Sequence, residues 1–378
     1  MKIIAAPNAF KGSLSAFQAA QAIRRGIRRL FLPIDVVCLP VSDGGDGLMD
    51  VLAGALNGRI IEFTVAGPLE DQITAPICFL EEEQTGIVEM AQASGLVLVP
   101  EELRNPEKTT TLGTGQLISK CLDLEVRRLV VGLGGSATCD GGIGAATALG
   151  YRFLDESGSV LQPIGENLIH IRSIDASLRD KRIDDVTVEA VCDVANPLTG
   201  PEGASYVYSP QKGGDAEQVA RLDEGLANLA EVIQHDLGID LSALPGAGAA
   251  GGLGAGIHAF LGGKLRKGTD LVLDLVGFQK ALSGADLVIT GEGSIDYQTK
   301  FDKAPAGVAR CAHEEGIPCI AICGSLGEGV DELYDVGITA VFSICNRPIN
   351  INQAIAEAEE LLANAAEQAV RLFIAARV

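Results

Sequence analysis

Short apolar runs alternate with segments whose apolar residues recur at helical spacing, and this alternation occurs near both ends of the chain. In the N-terminal part, apolar runs at 3–6 and 36–39 flank a helical pattern. Near the C-terminus, runs at 287–290, 317–323 and 340–345 are followed by helical patterns at 304–315, 330–336 and 351–374. Continuous apolar strands between helices are typical of a parallel sheet covered on both faces. The two ends together supply five strands, the number in a flavodoxin-like sheet.

The middle of the chain has a different pattern. Among longer loops and two glycine-rich segments, it holds strand-like runs at 86–89, 129–131 and 186–191. We therefore predict an α/β protein, in which a flavodoxin-like parallel-sheet domain of residues 1–60 and 286–378 is interrupted by an inserted, mixed α/β domain of residues 61–285.

Composition narrows the classes of function. Hydrophobic residues make up 47% of the 378 residues, and the formal net charge is −21. A chain this acidic is not expected to bind nucleic acid or a membrane surface, so an anionic substrate needs a local positive site. The nine cysteines form no CxxC pair, which indicates reduced thiols and a cytoplasmic protein. No apolar run reaches the ~18 residues expected of a membrane helix.

The first glycine-rich segment follows the apolar run at 129–131 and precedes an alanine-rich helical pattern. A strand, a glycine turn and a helix start can together bind an anion through backbone N–H groups and the helix dipole. The predicted phosphate-binding residues are Gly134, Gly135, Ser136, Ala137 and Thr138. The same spacing matches a dinucleotide fingerprint with Asp155 downstream, and it also suits a tight turn that requires glycine.

The second glycine-rich segment runs from 245 to 254 and lacks the Lys-Ser or Lys-Thr pair of a Walker loop. Dense glycine lets a backbone approach a ligand, and it equally allows close packing of helices. The candidate nucleotide-binding residues in this segment are Gly246, Gly248, Gly251 and Gly252.

Acidic residues follow several predicted strands, at the end where open α/β sheets bind ligands. Asp43 and Asp46 follow the second strand, Asp193 follows a strand of the middle region, and Asp296 follows the first strand of the C-terminal part. Carboxylates at these places can hold Mg²⁺ or accept a proton from a substrate hydroxyl, as phosphoryl transfer requires. Each of them, taken alone, also fits a turn or a helix cap.

Two basic residues are candidates for binding anionic groups. Lys11 lies just after the first strand and can neutralise charge on a transferring phosphate. Arg104 precedes three threonines, and its guanidinium can bind a carboxylate through two parallel hydrogen bonds. The plainer interpretations are a solvated lysine and a loop salt bridge.

Taken together, these motifs resemble the bacterial glycerate kinases of the first type. The matching segments occur in order along the chain, at 10–15, 40–47, 104–106, 109–111, 132–142, 192–200, 245–254, 290–299 and 303–305. The resemblance implies a flavodoxin-like domain interrupted by a second α/β domain, with the active site in the cleft between them. It also implies ATP and Mg²⁺ as phosphoryl donor and metal, D-glycerate as acceptor and 2-phosphoglycerate as product.

The chain departs from the usual family pattern at three places. It has Asn8-Ala9 where the family usually has Asp-Ser, Cys139 where Asn is usual, and Asp302 where Gly is usual. Asn8 is expected to weaken one acidic contact to a metal or substrate, and Asp302 sets a negative charge beside Lys303.

The hypothesis is therefore in-line phosphoryl transfer from ATP to D-glycerate. Arg104 and groups near Ser13 are expected to hold glycerate, and Lys11 is expected to stabilise the transferring group. Asp193 is the first choice of proton acceptor and Asp43 the second. Mg²⁺ is expected to bind with help from Asp43 or Asp296.

Two alternatives and the oligomeric state stay open. An NAD-dependent dehydrogenase of a small hydroxy acid would use the first glycine-rich segment and Asp155, but it leaves the second glycine-rich segment without a role. A non-catalytic sensor of sugar acids would bind glycerate without consuming ATP, and it would need fewer carboxylates at strand ends.

Overall fold

The structure is a computed structural model that describes residues 1–45, 47–301 and 303–377. It divides into two compact units, one formed by Met1–Asn57 with Lys267–Val378 and the other by Gly58–Arg266. The sequence prediction placed the second boundary at 285/286. In the structure this boundary lies earlier in the chain, between Arg266 and Lys267. The segment after Arg266 packs on the first unit, so closely that a side chain on Gly268 would overlap the backbone oxygen of Asp43.

The strands, in chain order, are β1 (Lys2–Pro7), β2 (Asp35–Cys38), β3 (Arg59–Ala66), β4 (Gln72–Leu80), β5 (Thr85–Glu89), β6 (Arg128–Gly132), β7 (Arg152–Leu154), β8 (Ser173–Asp175), β9 (Thr187–Val191), β10 (Lys264–Arg266), β11 (Leu287–Ile295), β12 (Cys319–Leu326) and β13 (Ile338–Ser343). The α-helices are α1 (Ala16–Arg28), α2 (Leu48–Leu56), α3 (Ala91–Ser94), α4 (Leu112–Asp123), α5 (Ile143–Ala148), α6 (Ala204–Tyr208), α7 (Ala216–Leu237), α8 (Ala249–Leu261), α9 (Gly268–Leu275), α10 (Phe278–Leu282), α11 (Ala304–Glu314), α12 (Ile351–Ala356) and α13 (Ala358–Ala375).

The first unit contains a five-stranded sheet in the order β13-β12-β11-β1-β2, and each neighbouring pair is parallel. This is the flavodoxin-like order, so the predicted fold class is confirmed. Helices cover both faces, since the consecutive residues Ile3 and Ile4 of β1 are both fully buried. We call this part the flavodoxin-like unit. Its strand order reverses between β1 and β11, and we call the carboxyl ends of these two strands the switch point.

Three elements of this unit differ from their predicted form. Strand β11 continues to Ile295, because Gly291 lets its backbone pack directly against the carbonyl of Ile322 on β12. The predicted helix at 330–336 is a 3₁₀ helix, and the predicted helix at 351–374 is two helices divided at Glu357.

The second unit, here called the inserted unit, contains a six-stranded sheet in the order β10-β9-β6-β5-β4-β3. The four strands from β10 to β5 are parallel, whereas β4 and β3 are antiparallel to their neighbours. Because parallel strands end at one edge, the segments that follow β5, β6 and β9 begin at the same edge of this sheet. In the described parts of the chain, no helix combines the length and the apolar character needed to cross a membrane.

Candidate active site

An acidic cluster lies at the switch point of the flavodoxin-like unit. The register pairs Pro7 of β1 with Gly291 of β11, and the backbone N–H of Asn8 donates to the carbonyl of Gly291 at 2.8 Å. Asn8 also donates its side-chain amide to Asp43 Oδ2 at 3.1 Å. The other oxygen of Asp43 accepts from the backbone N–H of Ala304, the first residue of α11. Asp43 is thus fixed between the end of β1 and the start of a helix.

Glu292 is the buried member of this cluster and is only 8% exposed. Burial raises its pKa to about 7, and the neighbouring charges of Asp43 and Asp296 act in the same direction. Two groups oppose that rise in pKa. One is the positive charge of Lys303, and the other is Thr299 Oγ1, which donates a hydrogen bond to Glu292 Oε1 at 3.0 Å. A carboxyl group that titrates near neutrality is suited to accept or release a proton.

The sequence analysis did not select Glu292, although it stands between two glycines directly after a buried run. Its neighbour Asp296 was predicted as a metal ligand. In the structure, Asp296 Oδ1 accepts from the backbone N–H of Gln298 at 2.9 Å and caps the 3₁₀ turn Tyr297–Lys300. The structure therefore brings Asp43 and Asp296 into one cluster around Glu292. Asp46 and Asp302 lie outside the described residues.

Lys11 and Ser13 lie in a short loop beside this cluster. Phe10 and Leu14 form an isolated antiparallel bridge that closes the loop, and Ser13 Oγ donates to the carbonyl of Phe10 at 3.0 Å. Lys11 is exposed, and its backbone nitrogen lies close to Gly293, the residue after Glu292. The loop thus places a positive side chain next to the carboxyl end of β11.

The oxygens of Asp43 and Asp296 are of the type that Mg²⁺ prefers. Among the described residues, no group of three or more acidic, histidine or cysteine side chains is arranged to hold a metal ion. Mg²⁺ in phosphoryl-transfer sites is commonly held by one or two carboxylates together with substrate phosphates. The cluster fits that mode of binding and does not form an all-protein metal cage.

The first glycine-rich segment forms a turn after β6 in the inserted unit. Lys212 holds this turn, because its ammonium group donates to Ser136 Oγ and to the carbonyl of Thr138, both at 2.8 Å. Lys212 is 2% exposed, and burial lowers its pKa to about 8, while Cys139 and Asp140 partly offset this effect. The sequence analysis missed Lys212, since a single lysine in a short turn gives no periodic signal.

The second glycine-rich segment packs closely against other backbone. Gly251 and Gly252 have φ of 68° and 91°, and a side chain on Gly251 would overlap the carbonyl of Thr138. A side chain on Gly248 would overlap the carbonyl of Pro197, and one on Gly246 would lie 2.6 Å from Cys192 Sγ. The geometry thus requires glycine for packing at these positions, and nucleotide binding by them stays a prediction.

The other predicted residues of the inserted unit lie in loops. Arg104 Nε and Thr138 Oγ1 are buried and have no hydrogen-bond partner among the described residues, so both retain capacity for a ligand. Asp193 is exposed in the segment after β9. Asp155 Oδ1 accepts from Ser157 and Ser159 in an exposed turn beside the two-stranded β7–β8 sheet, which is not the position that a dinucleotide fingerprint requires.

A flavodoxin-like sheet with carboxylates and a lysine at its switch point defines an α/β enzyme suited to phosphoryl transfer. The model of the glycerate kinase family matches residues 3–374, and the chain belongs to that family. A glycerate kinase from Bacillus subtilis (strain 168) is 47% identical over 362 residues, which cover 96% of this chain and 95% of the relative.

Two further relatives agree with this membership. A glycerate 2-kinase from Escherichia coli (strain K12) is 42% identical over 344 residues, covering 91% of this chain and 90% of the relative. A crystal structure titled as a glycerate kinase 2 from Salmonella typhimurium LT2 has a TM-score of 0.92 at 42% identity, covering 100% of this chain and 99% of that one. Membership of a kinase family favours the kinase hypothesis over the dehydrogenase and the sensor.

Proposed function

We propose that this enzyme phosphorylates D-glycerate with ATP and that the product is 2-phosphoglycerate. The observation that carries the proposal is the family match along nearly the whole chain. The acidic cluster at the switch point supports it, because phosphoryl transfer needs carboxylates for metal binding and for proton transfer. The choice of the 2-position is supported by the relative named glycerate 2-kinase.

In the flavodoxin-like unit, we assign Lys11 to the charge of the transferring phosphoryl group and Ser13 to the acceptor. Asp43 or Asp296 would hold Mg²⁺, whose chemistry is to neutralise charge on the phosphates of ATP. Both oxygens of Asp43 already accept hydrogen bonds from protein groups, which fix its orientation. Glu292 joins Asp193 and Asp43 as a candidate proton acceptor, because its pKa of about 7 suits that task.

In the inserted unit, we assign Arg104 to the carboxylate of glycerate, since its buried Nε has no partner among the described residues. The turn of Gly134–Thr138 is assigned to phosphate, with Lys212 as the group that holds it in place. Gly246, Gly248, Gly251 and Gly252 keep their proposed contact with the phosphates of the nucleotide, through backbone atoms alone.

A coupled assay of ADP release with ATP, Mg²⁺ and D-glycerate tests the function. We expect ADP release that depends on glycerate and a phosphorus NMR spectrum of 2-phosphoglycerate. A spectrum of 3-phosphoglycerate would correct the position, and folded protein that releases no ADP would overturn the proposal. Omission of Mg²⁺ in the same assay tests the metal requirement.

Two variants separate the candidate proton acceptors. Loss of a general base typically lowers the rate by about 10²–10⁴-fold. We expect a loss of this size in one of two variants, Asp193→Asn or Glu292→Gln. The variant that removes the true proton acceptor should also lose the acidic limb of the pH–rate profile. An Asp193→Asn variant with near-normal turnover would remove Asp193 as the acceptor and leave Glu292 and Asp43.

A further inference from the structure

A cavity of about 330 Å³ opens at the carboxyl ends of β11, β12 and β13 in the flavodoxin-like unit. Phe10 and Ile344 are buried in its wall, being 2% and 3% exposed. Ile351 and Ile355 of α12 also line it, yet they are 71% and 40% exposed. Large apolar side chains left in solvent around a concave site are typical of a ligand pocket.

The charge of the lining is unusual for so acidic a protein. Among the residues that line the cavity in the described part of the chain, one is charged, Lys11, and none is acidic. The polar groups are few, and they include Ser13, Ser325 and Asn350. An apolar interior with a few polar groups and one cation at the rim suits a flat heteroaromatic group that carries an anion at one end.

The cavity adjoins the acidic cluster. Gly293 lines it and directly follows Glu292, and Lys11 lies beside Gly293 at the same end. The cavity is also at the carboxyl edge of a parallel sheet, where open α/β folds bind nucleotides. A ligand whose apolar part fills the cavity would therefore have its anionic part next to Lys11 and Gly293, at the side where the acidic cluster begins.

We propose that this cavity binds the adenine and ribose of ATP. The inference rests on the proposed function for the identity of the nucleotide, and it places the nucleoside in a cavity lined by residues of the flavodoxin-like unit. The volume is at the lower end of the range of about 300–1,000 Å³ for small-molecule pockets. Glycerate alone would not fill the cavity, because a three-carbon anion rich in hydroxyl groups would leave the isoleucines of α12 in contact with water. Its assigned contact, Ser13, belongs to the same short loop as Lys11, at the end of the cavity where the phosphates would leave.

The first experiment fills the cavity. Ala354 lines it from α12, whereas Ala356, two residues further along the same helix, is exposed and does not line it. We expect Ala354→Phe to raise the KM for ATP about tenfold or more, with the KM for glycerate changed less than twofold. We expect Ala356→Phe to leave both values near wild type. An unchanged KM for ATP in folded Ala354→Phe, or a rise in the KM for glycerate alone, would overturn the inference.

The second experiment needs no catalysis and no variant. Cys345 lines the cavity and is exposed, so the rate at which a thiol reagent labels it, followed by mass spectrometry, shows whether a ligand occupies the cavity. We expect adenosine and ADP to slow labelling of Cys345 and D-glycerate to leave it unchanged. Protection by glycerate without protection by adenosine would assign the cavity to the acceptor and contradict the proposal.

The two experiments distinguish failure of the inference from failure of the proposed function. A wild-type protein that forms ADP from ATP and glycerate, while adenosine and ADP do not protect Cys345, keeps its function and loses this nucleoside site. If adenosine protects Cys345 from labelling but the protein forms no ADP with glycerate, the nucleoside site is present and the acceptor is a different molecule.

Discussion

At the scale of single residues, Glu292 has the most informative environment. It is buried in an acidic cluster, and its pKa is raised mainly because burial disfavours the charged form. A bound metal ion or the ammonium of Lys303 can compensate a negative charge there, whereas solvent cannot. The cost of ionising Glu292 is therefore a property of the folded state that the sequence does not reveal.

Glu292→Gln is expected to change how stability depends on pH. The folded pKa of about 7 lies above the ordinary value of 4.5, so the folded state binds more protons between these pH values. The stability that this proton uptake contributes is present at low pH and is lost as pH rises to about 7. Relative to Glu292→Gln, the free energy of unfolding of wild type should fall by about 2 kcal/mol between pH 5.5 and 8. Urea unfolding without metal at both pH values measures it, and a constant difference would contradict the raised pKa.

The candidate site was only partly predictable at this scale. Asp43 and Asp296 could be chosen because each follows an apolar run, and strand ends in α/β proteins share an edge. Glu292 and Lys212 act through burial and through partners distant in sequence, such as Ser136 for Lys212. Those contacts are created by the tertiary fold, so no local pattern in the sequence indicates them.

At the scale of elements, the turn after β6 depends on two supports from later in the chain. One is the ammonium group of Lys212, and the other is the glycine backbone of α8. Glycine density alone could not decide between ligand binding and packing, because both need a missing side chain. The positions of the neighbouring carbonyls, known only from the structure, show that packing requires glycine here.

Gly251→Ala and Gly262→Ala separate the cost of a left-handed backbone from the cost of overlap. Both residues have positive φ, 68° and 65°, but a side chain on Gly262 meets open space. Gly262→Ala should lower the free energy of unfolding by about 1–2 kcal/mol, the cost of that conformation alone. Gly251→Ala should cost about 1–3 kcal/mol more, because its methyl group overlaps the carbonyl of Thr138. Urea unfolding measures the free energy of unfolding of both variants. Equal losses of stability would argue against close packing around Gly251.

Lys212→Met is expected to loosen the turn of Gly134–Thr138. The variant removes two hydrogen bonds to the turn, each worth about 1 kcal/mol, while keeping most of the buried aliphatic volume. Amide hydrogen exchange in a peptide covering 134–138 should become about tenfold faster or more. Lys108→Met, which removes an exposed lysine paired with Glu166, should leave that exchange unchanged. Unaltered exchange in Lys212→Met would mean that the turn is held by its backbone contacts alone.

At the scale of the whole molecule, the two units are built differently along the chain. The flavodoxin-like sheet pairs β1 with β11, so it needs residues from both sides of the insertion. The inserted unit is continuous, and its sheet and main core lie within residues 58–266. The hydrophobic pattern was sufficient to predict this interruption, because buried parallel strands at both ends differ from the mixed strands between them. It could not fix the second boundary, since α9 and α10 pack on the flavodoxin-like unit through contacts that periodicity does not encode.

The continuous unit should fold when it is separated from the rest of the chain. A fragment of residues 58–266 retains the six-stranded sheet, the β7–β8 pair and the buried cluster that includes Phe153 and Phe260, whose rings pack edge to face at 5.5 Å. We expect circular dichroism of mixed helix and strand and a single cooperative urea transition, because the fragment keeps its own core. Residues 1–57 alone should stay unfolded, since β1 would lack its partner β11. A fragment 58–266 that unfolds without cooperativity and binds hydrophobic dyes would show that its core depends on contacts from the remainder of the chain.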